Sequence, residues 1–133
     1  MPVAELRIPP DPAYVGLARL VVAVAARQAG VAQERVQDVK IAVDEALANA
    51  VRAQAAVDSS APIDLSFGMT ANGFEVAVQA LDGPASPQDP VRAPGPDLVD
   101  PDLSFTLIEG LTDKVTYESE GTTMCLRFVV GTE

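Results

Sequence analysis

Hydrophobic and polar positions along this chain change their period several times, and each change marks the edge of an element. Val3 to Ile8 alternates, with Ala4, Leu6 and Ile8 on one face and Glu5 and Arg7 on the other, the signature of a strand. Pro9-Pro10 ends it. Asp11 is placed to cap a helix whose first residue is Pro12, and Gly30 supplies a stop after Gln28-Ala29, which predicts a first helix over about residues 12–29. Val15, Leu17, Leu20, Val21, Val22 and Val24 make that helix apolar nearly all round, relieved only by Arg19 and Arg27. Such a helix is either deeply buried or covered by a partner, and in a chain of this size partial exposure to a partner is the favoured expectation.

A second helix is predicted over about residues 33–56, with Val36, Val39, Val43, Leu47 and Ala50 as its core stripe. Asp38, Ile41, Glu45, Asn49 and Arg52 trace a neighbouring face. Val57 to Pro62 reads as a loop. Ile63–Gly68 and Gly73–Leu81 then alternate as two strands of a hairpin joined across Met69–Asn72. From Asp82 to Asp102, six prolines (Pro84, Pro87, Pro90, Pro94, Pro96 and Pro101) exclude a regular ladder. A loop of about twenty residues inside a compact domain is either a functional lid or a disordered insertion. Leu103–Leu111 resumes helical spacing, and Lys114–Glu118 with Thr122–Val130 reads as a closing hairpin. The order predicts a single domain over residues 1–133, with a Pro-rich, lid-like loop at 83–102. Its fold class is an α/β two-layer sandwich, with helices on one face of a mixed, mainly antiparallel sheet.

Composition narrows the chemistry. With 48% hydrophobic but only 5% aromatic residues, the core has to be built from Val, Leu, Ile and Ala. Nine basic against nineteen acidic side chains give a net charge of −10, which repels phosphate backbones and anionic membranes and argues against direct nucleic-acid binding. The same charge suits either a basic protein partner or solubility. There is no histidine, so imidazole bases and most zinc sites are excluded, and proton transfer would rest on carboxylates. The one cysteine, Cys125, is expected to be a buried core thiol. The apolar run Val15–Ala26 is too short to span a bilayer and contains Arg19, and the N-terminus lacks the pattern of a signal peptide, so a cytoplasmic protein is expected.

The chemically suggestive feature is VQDVKIAVDEALANAVRAQ, Val36–Gln54, which puts Glu45 and Asn49 four residues apart on one helical face. Beside a nucleotide pocket, such a pair can offer an amide oxygen to Mg²⁺ and a carboxylate to an attacking hydroxyl. On an ordinary surface it is a solvated neighbour pair contributing little, and the spacing alone does not separate the two.

The segment KIAVDEALANAV, Lys40–Val51, resembles the N-box of the GHKL-type (Bergerat) ATPases, and within them that of the bacterial anti-sigma factors that double as serine protein kinases. SFTLIEGLTDKVTYESEGTTMCLRF, Ser104–Phe128, is similar to the closing part of the same family, and element order agrees from the first strand to the final Gly-Thr-Thr. The resemblance implies ATP and Mg²⁺ as cofactors, with Asn49 as the Mg²⁺ ligand and Glu45 as the catalytic base for a substrate serine. It puts Asp82 where the adenine amino group is bound, with Thr122 or Thr123 supporting that contact. It also implies a sigma factor and a STAS-type anti-sigma-factor antagonist as partners, a homodimer, and contacts through the first helix and the loop before the second. Two departures stand out. The family's Asp-x-Gly-x-Gly reads here Asp82-Gly83-Pro84-Ala85-Ser86, and its phosphate-wrapping Gly-x-Gly reads Asp102-Leu103-Ser104. A Cβ obstructs the approach of backbone N–H groups to phosphate, and an acid at a helix start satisfies the amides itself while repelling an anion. The expected pocket keeps its adenine and magnesium corners and loses much of its phosphate cradle. A sequestering regulator with weakened or lost ATP binding is therefore expected ahead of a working serine/threonine kinase, with an adaptor in another signalling system as the third alternative.

Overall fold

The computed structural model describes residues 4–56, 60–81, 101–120 and 123–131. The elements are β1 (Ala4–Ile8), a 3₁₀ turn (Pro12–Tyr14), α1 (Val15–Gln28), α2 (Gln33–Ala56), β2 (Ile63–Thr70), β3 (Gly73–Leu81), α3 (Pro101–Leu111), β4 (Lys114–Glu120) and β5 (Thr123–Val130). The strands form one sheet in the order β1-β2-β3-β5-β4, and all four ladders are antiparallel, so the described strands contain none of the parallel pairing a mixed sheet would have. α1 packs on α2 and β2, α2 on β3 and β5, and α3 beside α2 and β4, giving a helical layer on one face.

Local chemistry sets most boundaries. Asp11 Oδ1 accepts from the Ala13 amide at 2.9 Å, capping the 3₁₀ turn that leads into α1. The end of α1 is a Schellman motif: Gly30 has φ 97°, its amide donates to the Arg27 carbonyl at 3.1 Å, and the Val31 amide donates to the Ala26 carbonyl at 3.0 Å. The hairpin between β2 and β3 is tighter than the sequence suggests, since pairing continues to Thr70 opposite Gly73 and leaves only Ala71-Asn72 as the loop. Thr70 Oγ1 receives the Asn72 amide and donates to the Gly73 carbonyl, which stabilises that turn.

Val36, Val39, Val43 and Leu47 are fully buried and Ala50 nearly so, as the 3.6-residue period predicts. They pack with Phe74, Val76, Phe128 and Val130 from the inner face of the sheet, each large side chain contributing about 2 kcal/mol of transfer free energy. α1 buries Ala18, Val22, Ala23 and Ala26 but exposes the other side: Leu17 is 53% exposed, Leu20 54% and Val24 46%. Partial exposure of this helix is thus what the structure has. Cys125 departs from expectation. It pairs with Gln79 and Glu118 on the sheet face away from the helices and is half-buried, because β5 gives its inner positions to Leu126, Phe128 and Val130.

Candidate functional site

Helical geometry places Glu45, Asn49 and Arg52 at i, i+4 and i+7 on one face of α2. Arg52 Nη2 donates to Asn49 Oδ1 at 2.6 Å and lies 3.9 Å from Glu45 Oε2. The Glu45 side chain is largely shielded, at 20% exposure, and that of Arg52 is 31% exposed. The neighbouring Asp44 is drawn off to the other side, where Arg19 of α1 reaches it at 3.2 Å. Sequence spacing thus correctly groups Glu45 with Asn49. It also put Arg52 on that face, but gave it no role; the signal available was its i+3 spacing from Asn49, within reach of a long guanidinium side chain.

The C-terminal end of α2 lies near the start of β2, which shares one end of the sheet with the end of β3 and the start of β5. Gln54 is fully buried and its Nε2 donates to the Ala61 carbonyl at 2.5 Å, fixing the end of α2 just before β2 begins at Ile63. Asp64, next along β2, pairs with Gln79 near the end of β3, and Leu81, the last residue of β3, pairs with Thr123, the first of β5. Asp82 follows Leu81 in the chain and Thr122 precedes Thr123; both lie outside the described residues, as does the side chain of Thr123. The lid-like loop predicted at 83–102 also falls outside them, apart from the helix start. α3 begins at Pro101, a residue whose fixed φ and missing N–H suit a first helical position.

Mg²⁺ has to be tested against the residues present. A magnesium ion takes oxygen ligands, commonly one or two carboxylates with substrate phosphates. The Asn49 oxygen expected to serve it is held by the Arg52 guanidinium, so an ion there would face a fixed positive charge. The described residues contain no group of three or more His, Cys, Asp or Glu that could hold a metal. Among the described residues, Asn49 in this contact does not fit Mg²⁺, and no reaction step is derived through the ion.

Elsewhere the polar side chains tie elements together. Arg35 of α2 bridges Asp38 at 2.6 Å and Asp113 at 3.0 Å, joining the start of α2 to the loop before β4. On the outer sheet face Arg127 meets Glu75 at 2.5 Å and Arg7 meets Asp64 at 2.7 Å, and in both pairs the carboxylate raises the arginine pKa. Burial pushes the Cys125 thiol up, against an opposing pull from Arg127. A groove of about 380 Å³ on that face is lined by Glu5, Arg7, Asp64, Ser66, Ala77 and Gln79 and contains none of the expected site residues. No helix among the described residues is long and apolar enough to cross a membrane.

Residues 8–130 match the family model described as histidine kinase-like ATPase domain. The chain is 30% identical over 128 residues to the serine-protein kinase RsbW of Oceanobacillus iheyensis, covering 87% of this chain and 78% of that protein. It is 31% identical over 127 residues to that of Bacillus velezensis, covering 86% and 77%. To the Bacillus subtilis protein of the same name it is 35% identical over 74 residues, covering 56% and 46%.

Proposed function

The chain belongs to the histidine kinase-like ATPase domain family, and from that premise we propose that it is a cytoplasmic anti-sigma-type regulator that sequesters a sigma factor in a partner-switching system. A STAS-type antagonist competes for it, and ATP binding is weakened or lost. Residues 1–133 act as a single domain of this kind. The observation that carries the reading is the apolar stripe of α1. Tyr14, at the end of the preceding 3₁₀ turn, and Leu17, Leu20 and Val24 of α1 recur at three- and four-residue spacing and are all exposed, while the opposite face of α1 is buried against the fold. Four large apolar side chains in one line are a protein-binding surface by the ordinary economy of soluble proteins. The net charge of −10 complements the basic surface of a DNA-binding protein and would steer it.

In this reading, sequestration needs no nucleotide. The adenine and magnesium corners assigned to Asp82, Thr122, Thr123 and Asn49 are a remnant of the family's pocket, and Arg52 beside Asn49 fits a remnant better than a working metal centre. The test is capture: immobilised protein, in buffer with EDTA and no nucleotide, is expected to retain a sigma factor from a lysate of its source organism and to release it when a STAS-type antagonist is added. Recovery of no sigma factor overturns the reading. The homodimer belongs to the same proposal. Light scattering at twice the 13.9 kDa of one chain supports it, and a strict monomer removes it.

One second reading is favoured by the name serine-protein kinase carried by the relatives. In it Glu45 takes the proton of a serine on the antagonist during phosphoryl transfer from ATP. Transfer of labelled phosphate to the antagonist, lost in Glu45→Gln, would establish this reading and displace the first.

A further inference from the structure

We propose that Arg52 is the resident cation of this site, occupying the Asn49 oxygen that a divalent ion would need, and that this side chain, in addition to the missing glycines, keeps Mg-nucleotide out. The inference rests on the reading of Glu45 and Asn49 as a remnant nucleotide corner and adds the residue that closes it.

Geometry carries the argument. Asn49 Oδ1 is an uncharged acceptor, and it already receives a 2.6 Å charge-assisted hydrogen bond from Arg52 Nη2. Glu45 Oε2, the nearest carboxylate on that face, lies 3.9 Å from the same nitrogen. Both partners sit on the same helix as Arg52, at i−3 and i−7, so no domain movement is needed to form the contact or to keep it. A magnesium ion approaching Asn49 must first displace the guanidinium, whose charge stays tethered to the same helix three residues on and opposes the ion from there. The result is a tethered competitor at high effective concentration, which lowers apparent metal affinity without altering the fold.

The direction of the effect separates this role from the obvious alternative. If Arg52 were a phosphate ligand, its removal would weaken nucleotide binding. As a resident cation, its removal strengthens binding, and only when Mg²⁺ is present. The experiment is isothermal titration of the full chain, the variants Arg52→Gln and Arg52→Lys, and the double variant Arg52→Gln/Asn49→Ala with Mg-ADP, each repeated with ADP in EDTA. The expected result is that Arg52→Gln binds Mg-ADP about tenfold tighter than the parent protein, the equivalent of one charge-assisted hydrogen bond no longer competing. The gain disappears in EDTA and in the double variant, and Arg52→Lys, which keeps the charge, stays near the parent. Circular dichroism confirms that each variant is folded, and Mg²⁺ alone, followed on the Asn49 side-chain amide resonance by NMR, gives a second readout independent of nucleotide. Equal or weaker Mg-ADP binding by folded Arg52→Gln, or a gain that persists in EDTA, overturns the proposal. Sigma-factor capture by the parent protein in EDTA is scored separately, so failure of the sequestration reading and failure of the Arg52 assignment are distinguished.

Discussion

Arg52 and Asn49 are joined by a 2.6 Å hydrogen bond on the face of α2 that also carries Glu45. A guanidinium, a side-chain amide and a carboxylate thereby form one compact cluster on a single face of α2. Asn49→Ala removes the acceptor but adds a better helix former, so the two effects on stability oppose each other. The expected outcome is a melting temperature within about 3 °C of the parent, by calorimetry. Sigma-factor capture without nucleotide should persist in this variant. A loss of capture would tie partner binding to the Asn49 corner and count against a nucleotide-independent surface.

The α1 stripe makes a separate prediction. Leu17 and Leu20 are more than half exposed, so Leu17→Glu with Leu20→Glu should shift stability by no more than about 1 kcal/mol. The same pair of charges in the middle of an apolar interface should weaken sigma-factor binding at least about a hundredfold, measured by surface plasmon resonance. Unchanged binding would move the contact surface away from α1.

Gly73 is required by the packing of the hairpin. Its φ is 132°, and a Cβ there would lie 2.6 Å from the Val130 carbonyl oxygen on the adjacent strand. Neither atom is at the free end of a flexible side chain, so Gly73→Ala has to shift backbone. A loss of about 2 kcal/mol is expected, read as a lower urea midpoint at unchanged slope.

Cys125 supplies a pH test. Burial raises its thiol pKa, so the folded chain holds this proton to higher pH than the unfolded chain does. The associated stability is complete below the unfolded-chain pKa and is lost as pH rises through the folded value. At pH 8, iodoacetamide should therefore modify the folded protein at least about fivefold more slowly than the urea-unfolded chain, since the thiolate is the reactive form. Equal rates would mean that the outer sheet face shields the thiol less than its half-burial indicates.

Much of the architecture was legible in the sequence because one physical signal dominated each segment. α2 runs from Gln33 to Ala56, as its apolar period indicates, and the Gly30 stop works through positive φ. Where two signals competed, the boundary moved. The loop of the first hairpin contracted to Ala71-Asn72 because the ladder runs on through Met69 and Thr70, the latter a β-branched residue at home in a strand. β5 carries apolar residues at both parities, so alternation could not assign Cys125 to a face; pairing with Gln79 and Glu118 does. The Glu45–Asn49 pair was readable from helical spacing alone. The role of Arg52 was not, since a long side chain at i+3 can turn to solvent as easily as toward its neighbour, and only the folded geometry decides. Asp82 and Thr122 lie outside the described residues, so the adenine corner rests on the resemblance.

The most direct test of the central claim is the affinity of the captured sigma factor for this protein, measured by isothermal titration with and without Mg-ATP. Sequestration by surface contact predicts a saturable complex whose dissociation constant agrees within about twofold in the two conditions, a difference of about 0.4 kcal/mol. A complex that forms only with Mg-ATP present would contradict the account, because the nucleotide corner would then be a working part of the protein.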